Sequence, residues 1–297
     1  MKLAFYANHR YWGGLSPNGG SRTILLCCDA LRKLGHEANV VTFSDKFKWF
    51  KHPKPWNRIP NGTDVVIAVS IAEVKAIWDM PYKLAYYARP FETWQKSESK
   101  CVSIMKQFQL RGGKVLVNSR WQYEYLYNKY RINAYLVHAG MDFNKWRNIE
   151  KHPTKTTVLA QYSRNPLKGY KQFKALKKLA PEFDYVVFGK TKKVTWPEIV
   201  RWYNGAHYFF VGGKREGWNN CAAEAALCGC TLVVGNSDTN GTSDFVTSEN
   251  SIVYESLGEA VGRIRQGDCG NVADVQARLR AIGTRQMCMK RLVEVVQ

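Results

Sequence analysis

Short apolar runs bounded by glycine or polar turns alternate along the chain with longer segments in which apolar residues recur at helical spacing. In the first half this pattern predicts strands at residues 2–7, 37–43, 64–70, 83–88, 114–119 and 134–137, and helices at residues 21–34, 71–78, 99–110 and 120–130. Strands and helices in regular alternation predict a doubly wound α/β unit with a parallel sheet.

The same rhythm restarts after a polar, proline-containing segment at residues 148–156, which is the best linker candidate. The second half predicts strands at residues 157–161, 184–189, 208–211, 231–234 and 252–254, and helices at residues 168–179, 196–205, 221–227, 257–266 and 273–296. A chain of 297 residues suits two buried cores of about 150 residues each. We therefore predict two Rossmann-like domains, residues 1–150 and 151–297.

The segment 211–234 combines a strand end, a glycine-containing loop, a helix of small residues and the next strand. Asn219 or Asn220 is a suitable N-cap, and the free amides of the first helical turn favour an anion beyond the strand end. Glu224 lies about one turn into the helix and leans toward its N-terminus, so its carboxylate is expected near that of Glu216. Carboxylates accept hydrogen bonds from sugar hydroxyls, and helix amides bind phosphate. A nucleotide sugar satisfies both requirements.

The spacing of these residues resembles the E-x7-E signature of family 4 retaining glycosyltransferases, which have the GT-B fold. The matching residues are Glu216, Gly217, Glu224, Ala225, Cys228, Gly229, Thr231 and Val233. The resemblance implies two Rossmann-like, doubly wound domains facing across a cleft, with the nucleotide sugar held mainly by the second domain and the acceptor by the first. It also implies a C-terminal helix that crosses back onto the first domain. It implies that Glu216 binds the donor sugar and Glu224 the ribose. Substrate contacts are expected at Gly217, Asn219 and Asn220. The alternative is a generic Rossmann helix with a fortuitous pair of glutamates.

Two further loops extend the resemblance to the donor diphosphate. The segment G-G-S-R-T-I-L-L is similar to the family's first loop, in which Gly19 and Gly20 would face the diphosphate. The segment S-R-N-P-L-K-G is similar to a loop that places Arg164 and Lys168 against it. Negative charge grows on the diphosphate as the sugar leaves, and without a metal ion it must be met by cations and helix dipoles. A flexible turn without a ligand and two surface cations are the respective alternatives.

The sequence gives weaker indications of the residues that contact the acceptor substrate. The segment H-A-G-M-D resembles the family's interdomain turn, where His138 could line the cleft, although a packed histidine is the commoner outcome. The strand at 83–88 ends where the family often has a catalytic-site histidine, but no histidine occurs between His52 and His138. Arg89 is a candidate for steadying phosphate or acceptor charge, and Glu92 for accepting the proton of an acceptor hydroxyl. A surface ion pair is the alternative for these two residues.

The formal charge of +20 belongs to both halves, with 23 Lys and Arg against 11 Asp and Glu up to residue 150, and 21 against 13 afterwards. Such a charge favours association with polyanions, either a nucleic acid or an anionic membrane surface.

The segment D-K-F-K-W-F-K-H-P-K-P-W-N-R interleaves cations with aromatic rings. Its candidates for nucleic-acid or membrane contact are Lys46, Lys48, Trp49, Lys51, Lys54, Trp56 and Arg58. Aromatic rings between cations suit single-stranded or flipped-out nucleic acid, and membrane interfaces use similar residues. The third interpretation is a loop whose aromatic side chains fold back onto the core.

Several sequence motifs of common enzyme classes are missing, and this narrows the range of possible functions. The sequence has no D-x-D, G-x-x-x-x-G-K-[ST], G-x-S-x-G or H-E-x-x-H motif, which argues against metal-carboxylate glycosyl transfer, nucleotide hydrolysis and common hydrolase chemistry. We expect no metal and no cofactor beyond the co-substrate, a UDP- or GDP-sugar. The sequence has no long apolar run and no signal-peptide pattern, and its eight cysteines form no C-x-x-C pair. A cytosolic protein with reduced thiols is therefore expected.

Three functional hypotheses follow from these patterns. The first is a retaining glycosyltransferase acting on a polyanionic acceptor, with a hydroxyl-bearing modified DNA base favoured because no helix stands out as a membrane anchor. The second is a glycosyltransferase acting on a lipid-linked or cell-surface glycan at an anionic membrane. The third is a non-catalytic protein that binds a nucleic acid or a sugar nucleotide. A monomer is the default oligomeric state.

Overall fold

The structure is a computed structural model that describes residues 1–7, 19–42, 51–89, 97–149, 155–162, 168–189, 195–213, 216–237 and 240–297. These residues form two compact units, one comprising Met1–Gly140 with Gly283–Gln297 and the other Met141–Ile282. Each unit contains one parallel sheet whose strands are connected mainly by helices. The prediction of two Rossmann-like α/β units is confirmed.

The first unit alternates strands and helices along the chain. Its elements are β1 (Lys2–Tyr6), α1 (Gly19–Lys33), β2 (Glu37–Val41), β3 (Val65–Ala68), α2 (Ile71–Ile77), β4 (Lys83–Ala88), α3 (Glu98–Leu110), β5 (Lys114–Val117), α4 (Arg120–Tyr130) and β6 (Ala134–Leu136). The strands form a parallel sheet in the order β2-β1-β3-β4-β5-β6. Every residue of β3 is buried, as expected for an inner strand of a parallel sheet. Tyr86, Phe108 and Trp121 contribute large side chains to the core.

The second unit follows the same plan. Its elements are β7 (Thr157–Gln161), α5 (Tyr170–Leu179), β8 (Asp184–Phe188), α6 (Trp196–Asn204), β9 (Tyr208–Val211), α7 (Asn220–Leu227), β10 (Thr231–Gly235), β11 (Ile252–Tyr254), α8 (Leu257–Arg265) and α9 (Val272–Ile282). The sheet order is β11-β10-β9-β7-β8, so β7 pairs with β9 although β8 lies between them in the chain. The rings of Phe173 and Phe210 pack 5.8 Å apart in the core.

The C-terminal region contains two helices, so the prediction of one helix at residues 273–296 was wrong. After α9 the chain forms α10 (Arg285–Val296), which belongs to the first unit and packs on α1. Gly283 has a φ of 104°, outside the helical range, and the hydroxyl of Thr284 caps the first turn of α10. Glycine inside a helical pattern is tolerated, so the sequence did not signal this break.

Two lysines of the first unit hold the end of α10. Lys83 Nζ donates to the carbonyl of Gln297 over 2.6 Å, and Lys114 Nζ donates to the carbonyl of Val295 over 2.5 Å. Cations at a helix C-terminus satisfy terminal carbonyls and interact favourably with the helix dipole. The C-terminal helix is therefore an integral part of the first unit.

The chain passes between the two units at Gly140–Met141, whereas the sequence pattern placed the boundary at residue 150. Trp146 packs edge-on against Tyr203 with ring centroids 5.8 Å apart. Residues 141–149 therefore pack with the second unit. The assignment of acceptor binding to the first domain and nucleotide-sugar binding to the second remains a prediction.

Candidate functional site

The candidate site lies in the second unit, where three loops follow neighbouring strands of one parallel sheet. The loop after β7 leads to Lys168, the loop after β9 begins at residues 212–213, and the loop after β10 leads to Asn240. Parallel strands end at the same edge of the sheet, where ligands usually bind in folds of this type. Backbone contacts join the three loops into one assembly.

Gly169 and Gly212 bring the first two loops into direct backbone contact. A Cβ atom on Gly169 would lie 1.9 Å from the carbonyl carbon of Gly212, and one on Gly212 would lie 2.7 Å from the carbonyl oxygen of Gly169. Gly169 is also the N-cap of α5 with a φ of 74°, a conformation that favours glycine. Because neither position has space for a side chain, this contact holds Lys168 against the loop that follows β9.

The loop after β10 fixes the backbone of Glu216 from the other side. Asn240 and Glu216 form a parallel bridge, in which Gly241 N donates to the Glu216 carbonyl over 3.0 Å. The side chain of Asn240, which is 1% exposed, donates to the Gly213 carbonyl over 2.9 Å. A Cβ atom on Gly241 would lie 1.4 Å from the carbonyl oxygen of Gly217. The backbone that carries Glu216 is therefore held by the Asn240 side chain and by direct backbone contact with Gly241.

Lys168 and Glu216 form an ion pair between these loops, with Nζ 2.6 Å from Oε2. The Lys168 side chain is 40% exposed, whereas that of Glu216 is 9% exposed. The other carboxylate oxygen, Oε1, would lie 2.5 Å from a Cβ atom on Gly213. Burial acts to lower the pKa of Lys168, but the charge and hydrogen bond of Glu216 outweigh it, so the pKa is raised. The lysine is therefore a charged, partly exposed ammonium at neutral pH.

Helix α7 begins directly after the Glu216 loop and is capped by Asn219, whose Oδ1 accepts a hydrogen bond from Ala222 N over 3.0 Å. Of the two predicted N-cap candidates, Asn219 is therefore the cap and Asn220 is the first helical residue. Four fully buried alanines pack the helix closely: Ala222, Ala223, Ala225 and Ala226. The N-terminus of α7, with the positive end of its dipole, lies on the strand-end side of the sheet.

Glu224 lies one turn into α7 and is 2% exposed. Its Oε2 accepts a hydrogen bond from the hydroxyl of Tyr203 over 3.3 Å. Tyr203, near the end of α6, is fully buried. The described contacts therefore pair Glu216 with Lys168 and Glu224 with Tyr203. The meeting of the two carboxylates at one opening stays a prediction.

Neither a protein-family model nor a curated protein sequence matches the chain. Several solved structures resemble it over nearly their whole length. Sucrose-phosphate synthase (tll1590) from Thermosynechococcus elongatus superimposes with a TM-score of 0.81 at 12% identity, covering 99% of this chain and 98% of that protein. Anabaena Alr3699/HepE in complex with UDP gives a TM-score of 0.64 at 12% identity, covering 100% and 99%. AviGT4, a glycosyltransferase involved in avilamycin A biosynthesis, gives 0.64 at 14% identity, covering 100% and 97%.

The chain has the GT-B fold. The similar structures share only 12–14% of their residues with it, so the likeness concerns the arrangement of strands and helices. The roles of individual residues in this GT-B chain therefore depend on its own geometry.

In the first unit of the GT-B fold, Arg89 at the end of β4 connects three elements. Its Nη1 donates to the carbonyl of Gly20 in α1, and its Nη2 donates to the carbonyl of Val69 after β3 over 2.9 Å. These contacts give Arg89 a structural role, and its predicted contact with phosphate or acceptor charge remains a prediction. Gly19 and Gly20 are exposed at the start of α1, and a Cβ atom on Gly19 would have no neighbour within 4 Å.

Five of the predicted site residues lie outside the described residues: Lys46, Lys48, Trp49, Glu92 and Arg164. His138 is described and half-buried. The predicted contact residues Lys51, Lys54 and Arg58 are exposed in the first unit.

Trp56 is half-buried, unlike the exposed cations near it in the sequence. Its backbone N–H donates to the carbonyl of Val40, and its carbonyl accepts from Thr42 N, both over 2.9 Å. Its half-buried ring packs against the core of the first unit. For Trp56 the structure supports the interpretation in which an aromatic side chain folds back onto the core.

Two residues of the site were missed from the sequence, Asn240 and Tyr203. Asn240 precedes Gly241, and Asn-Gly is a turn signal, but that signal does not reveal a contact with the Glu216 loop. Tyr203 gave no signal, because its hydrogen bond to Glu224 joins two helices across 21 residues.

Proposed function

We propose that this GT-B chain is a family 4-like glycosyltransferase that moves a sugar from a nucleotide sugar to a hydroxyl acceptor, with retention of anomeric configuration and without a metal ion. The observation that carries the proposal is the Lys168–Glu216 pair, 2.6 Å apart on closely packed loops at the carboxyl edge of the second sheet. The similar Anabaena protein is in complex with UDP, which supports a UDP-sugar as the donor. A GDP-sugar is the alternative donor.

Lys168 and Arg164 stabilise the leaving diphosphate in this mechanism. Cleavage of the bond between sugar and phosphate leaves negative charge on the diphosphate oxygens, and a cation already in position lowers the energy of that transition state. Lys168 suits this role because it is charged and exposed on one side. The amides at the N-terminus of α7 add the positive end of a helix dipole.

Glu216 binds the donor sugar. In the free protein its carboxylate is paired with Lys168, and a bound diphosphate competes for the same ammonium. Once Lys168 turns to the diphosphate, Glu216 accepts hydrogen bonds from sugar hydroxyls. The ion pair is thus exchanged for two contacts with the donor, one to its diphosphate and one to its sugar.

The nucleoside part of the donor binds beside α7. Glu224 accepts hydrogen bonds from the ribose hydroxyls, and Tyr203 orients its carboxylate from the interior. Contacts from Gly217, Asn219 and Asn220 complete this side of the site. Gly19 and Gly20 at the start of α1 are further candidates for contact with the diphosphate, as the resemblance to family 4 implies.

The proposed acceptor is a hydroxyl on a modified base of DNA, with Glu92 accepting its proton and His138 lining the site. The formal charge of +20 supports a polyanionic acceptor, and the exposed cations Lys51, Lys54 and Arg58 are candidates for its phosphates. Among the described residues, no helix combines the length and apolarity needed to traverse a bilayer.

The test of the donor reaction begins with a thermal-shift screen of nucleoside diphosphates and their sugars, because a ligand that binds only the native state raises the Tm. Hydrolysis of the best nucleotide sugar without acceptor is then measured for Lys168→Gln and for a matched control, Lys155→Gln. Lys155 lies 3.0 Å from Asp184 in the same unit, but on the open surface. We expect Lys168→Gln to lower turnover by about 100-fold or more, as for other lost transition-state contacts. Equal turnover in both variants would overturn the proposal.

The acceptor is tested separately with a labelled donor. Transfer to duplex DNA that contains hydroxymethylated bases, with no transfer to unmodified DNA, is the expected result. Transfer only to a glycolipid in anionic vesicles would replace the DNA acceptor with the membrane alternative. Hydrolysis of the donor would in either case argue against a non-catalytic binding protein.

A further inference from the structure

Helix α5 carries a series of lysines that starts beside the candidate site. It begins two residues after Lys168 and contains no acidic residue. Its four lysines are all exposed: Lys171, Lys174, Lys177 and Lys178. On the opposite side of the helix, Phe173 and Leu176 are buried in the core of the second unit. The helix is therefore anchored by apolar side chains and presents a continuous cationic surface to solvent.

Three of these residues, Lys171, Lys174 and Lys178, form what we call the α5 lysine row. Their i, i+3, i+7 spacing places them on one face of the helix. Seven residues at a rise of about 1.5 Å each span about 10.5 Å. Each strand of duplex DNA has one phosphate per about 3.4 Å of helix axis, so the row matches the length of about three steps.

Neighbouring carboxylates do not balance the charge of the α5 lysine row. Elsewhere in the second unit three arginines have carboxylate partners at 2.7 Å: Arg263 with Asp268, Arg265 with Glu182, and Arg278 with Asp274. Within the part of the chain that the structure describes, no lysine of the row takes part in an ion pair. The ammonium of Lys174 instead lies 5.7 Å from the ring of Tyr170. Cations gathered in this way repel one another, and a polyanion relieves that repulsion.

We propose that the α5 lysine row binds the sugar-phosphate backbone of the nucleic-acid acceptor and holds that strand next to Lys168. This inference rests on the proposed function and adds a contact surface in the second unit. Lysine meets phosphate as a point charge and reads no base sequence, so the row positions the acceptor without selecting its sequence. A membrane fits the surface less well, because interfacial helices combine cations with a broad apolar face, whereas α5 exposes only Leu179 at its last turn.

The test compares two triple variants in binding to duplex DNA across a range of salt concentrations. The first, K171Q/K174Q/K178Q, removes the row. The control, K100Q/K106Q/K290Q, removes the same charge from exposed positions on α3 and α10 of the first unit. Each phosphate contact contributes about 0.9 to the slope of log Kobs against log salt, so the row variant should lose about 2.7 from the slope. At 0.1 M salt its Kd should rise by about tenfold or more, and the control should stay within about threefold.

Equal losses in the two variants would overturn the inference, because net charge alone would then explain them. Weaker sedimentation of the row variant with anionic vesicles, together with an unchanged DNA slope, would also overturn it in favour of a membrane. The rise in Tm with UDP, measured in parallel, separates this inference from the proposed function. If the Tm of the wild-type protein rises with UDP but the protein does not bind DNA, the α5 lysine row is not a DNA-binding surface, and the proposal of glycosyl transfer is unaffected. If the α5 lysine row binds DNA but nucleotides do not raise the Tm, the row is supported as a DNA-binding surface, and the result argues against the proposed donor site.

Discussion

The side chains of Lys168 and Glu216 meet at 2.6 Å across 48 residues of sequence. They meet because β7 and β9 are neighbours in the sheet, so the loops that follow these strands lie side by side. A partly exposed ion pair contributes only about 0–1 kcal/mol to stability. The close contact between Gly169 and Gly212 fixes the two loops that carry the pair. We propose that the pair binds the donor.

The two members of this pair should respond differently to mutation. Lys168→Gln removes the cation that meets the diphosphate, and we expect the Kd for UDP to rise by about tenfold, or about 1.4 kcal/mol. Glu216→Gln removes the competitor for that cation, so the Kd for UDP should stay equal or fall while turnover of the UDP-sugar drops. Titration calorimetry with UDP, with Lys155→Gln as the control, measures the difference. Equal weakening of UDP binding by both substitutions would contradict these roles.

The backbone contact between the first two loops should depend on glycine. Gly169→Ala puts a Cβ atom 1.9 Å from Gly212 at a φ of 74°, and we expect the second unit to lose about 3 kcal/mol or more. Gly262→Ala in α8 is the control, because nothing lies within 4 Å of its Cβ position and alanine favours a helix by about 0.5–1 kcal/mol. Thermal unfolding should therefore shift in opposite directions for the two variants. A Gly169→Ala variant as stable as wild type would show that the loops do not pack as described.

The buried hydrogen bond of Glu224 should link stability to donor binding. Tyr203→Phe leaves that carboxylate without one donor, and we expect a loss of about 1–3 kcal/mol. If Glu224 binds the ribose, the KM for the nucleotide sugar should also rise, because the carboxylate is no longer held in place. Tyr254→Phe is the control, since its hydroxyl has no hydrogen-bond partner among the described residues. A Tyr203→Phe variant that is less stable but has an unchanged KM would remove Glu224 from the donor site.

Alkaline pH should destabilise the second unit through Tyr208. Burial raises the pKa of Tyr208 from 10.0 to about 12, and the nearby charges of Cys269 and Asp268 act in the same direction. Between about pH 10 and 12 the unfolded chain loses this proton while the folded protein keeps it, so stability falls as pH rises, by about 2–3 kcal/mol in total. Over this pH range the Tm of the Tyr208→Phe variant should fall by less than that of the wild-type protein. In the control variant Tyr123→Phe, in which the substituted side chain is exposed, the Tm should fall with pH as in wild type. A plot of Tm against pH for Tyr208→Phe that runs parallel to that of wild type would refute the prediction.

Local signals predicted much of the second unit correctly. The small-residue helix was predictable, and its cap was narrowed to Asn219 or Asn220, because an N-cap side chain bonds an amide only two or three residues away; the structure identifies Asn219. The break between α9 and α10 was not, because Gly283 fits a continuing helical pattern and only its φ of 104° shows otherwise. Trp56 was likewise ambiguous, since an aromatic ring beside lysines suits both a ligand surface and a core, and only its packing distinguishes them.

The sequence by itself determined the alternation of strands and helices up to α8, the α/β class and the charge of the whole chain, because these depend on residues close in sequence or on composition. Only the tertiary structure decided that β7 lies beside β9, that Lys168 pairs with Glu216, and that Asn240 supports the same loop. Which strands become neighbours depends on how the whole sheet buries its apolar faces, and no local pattern records that choice.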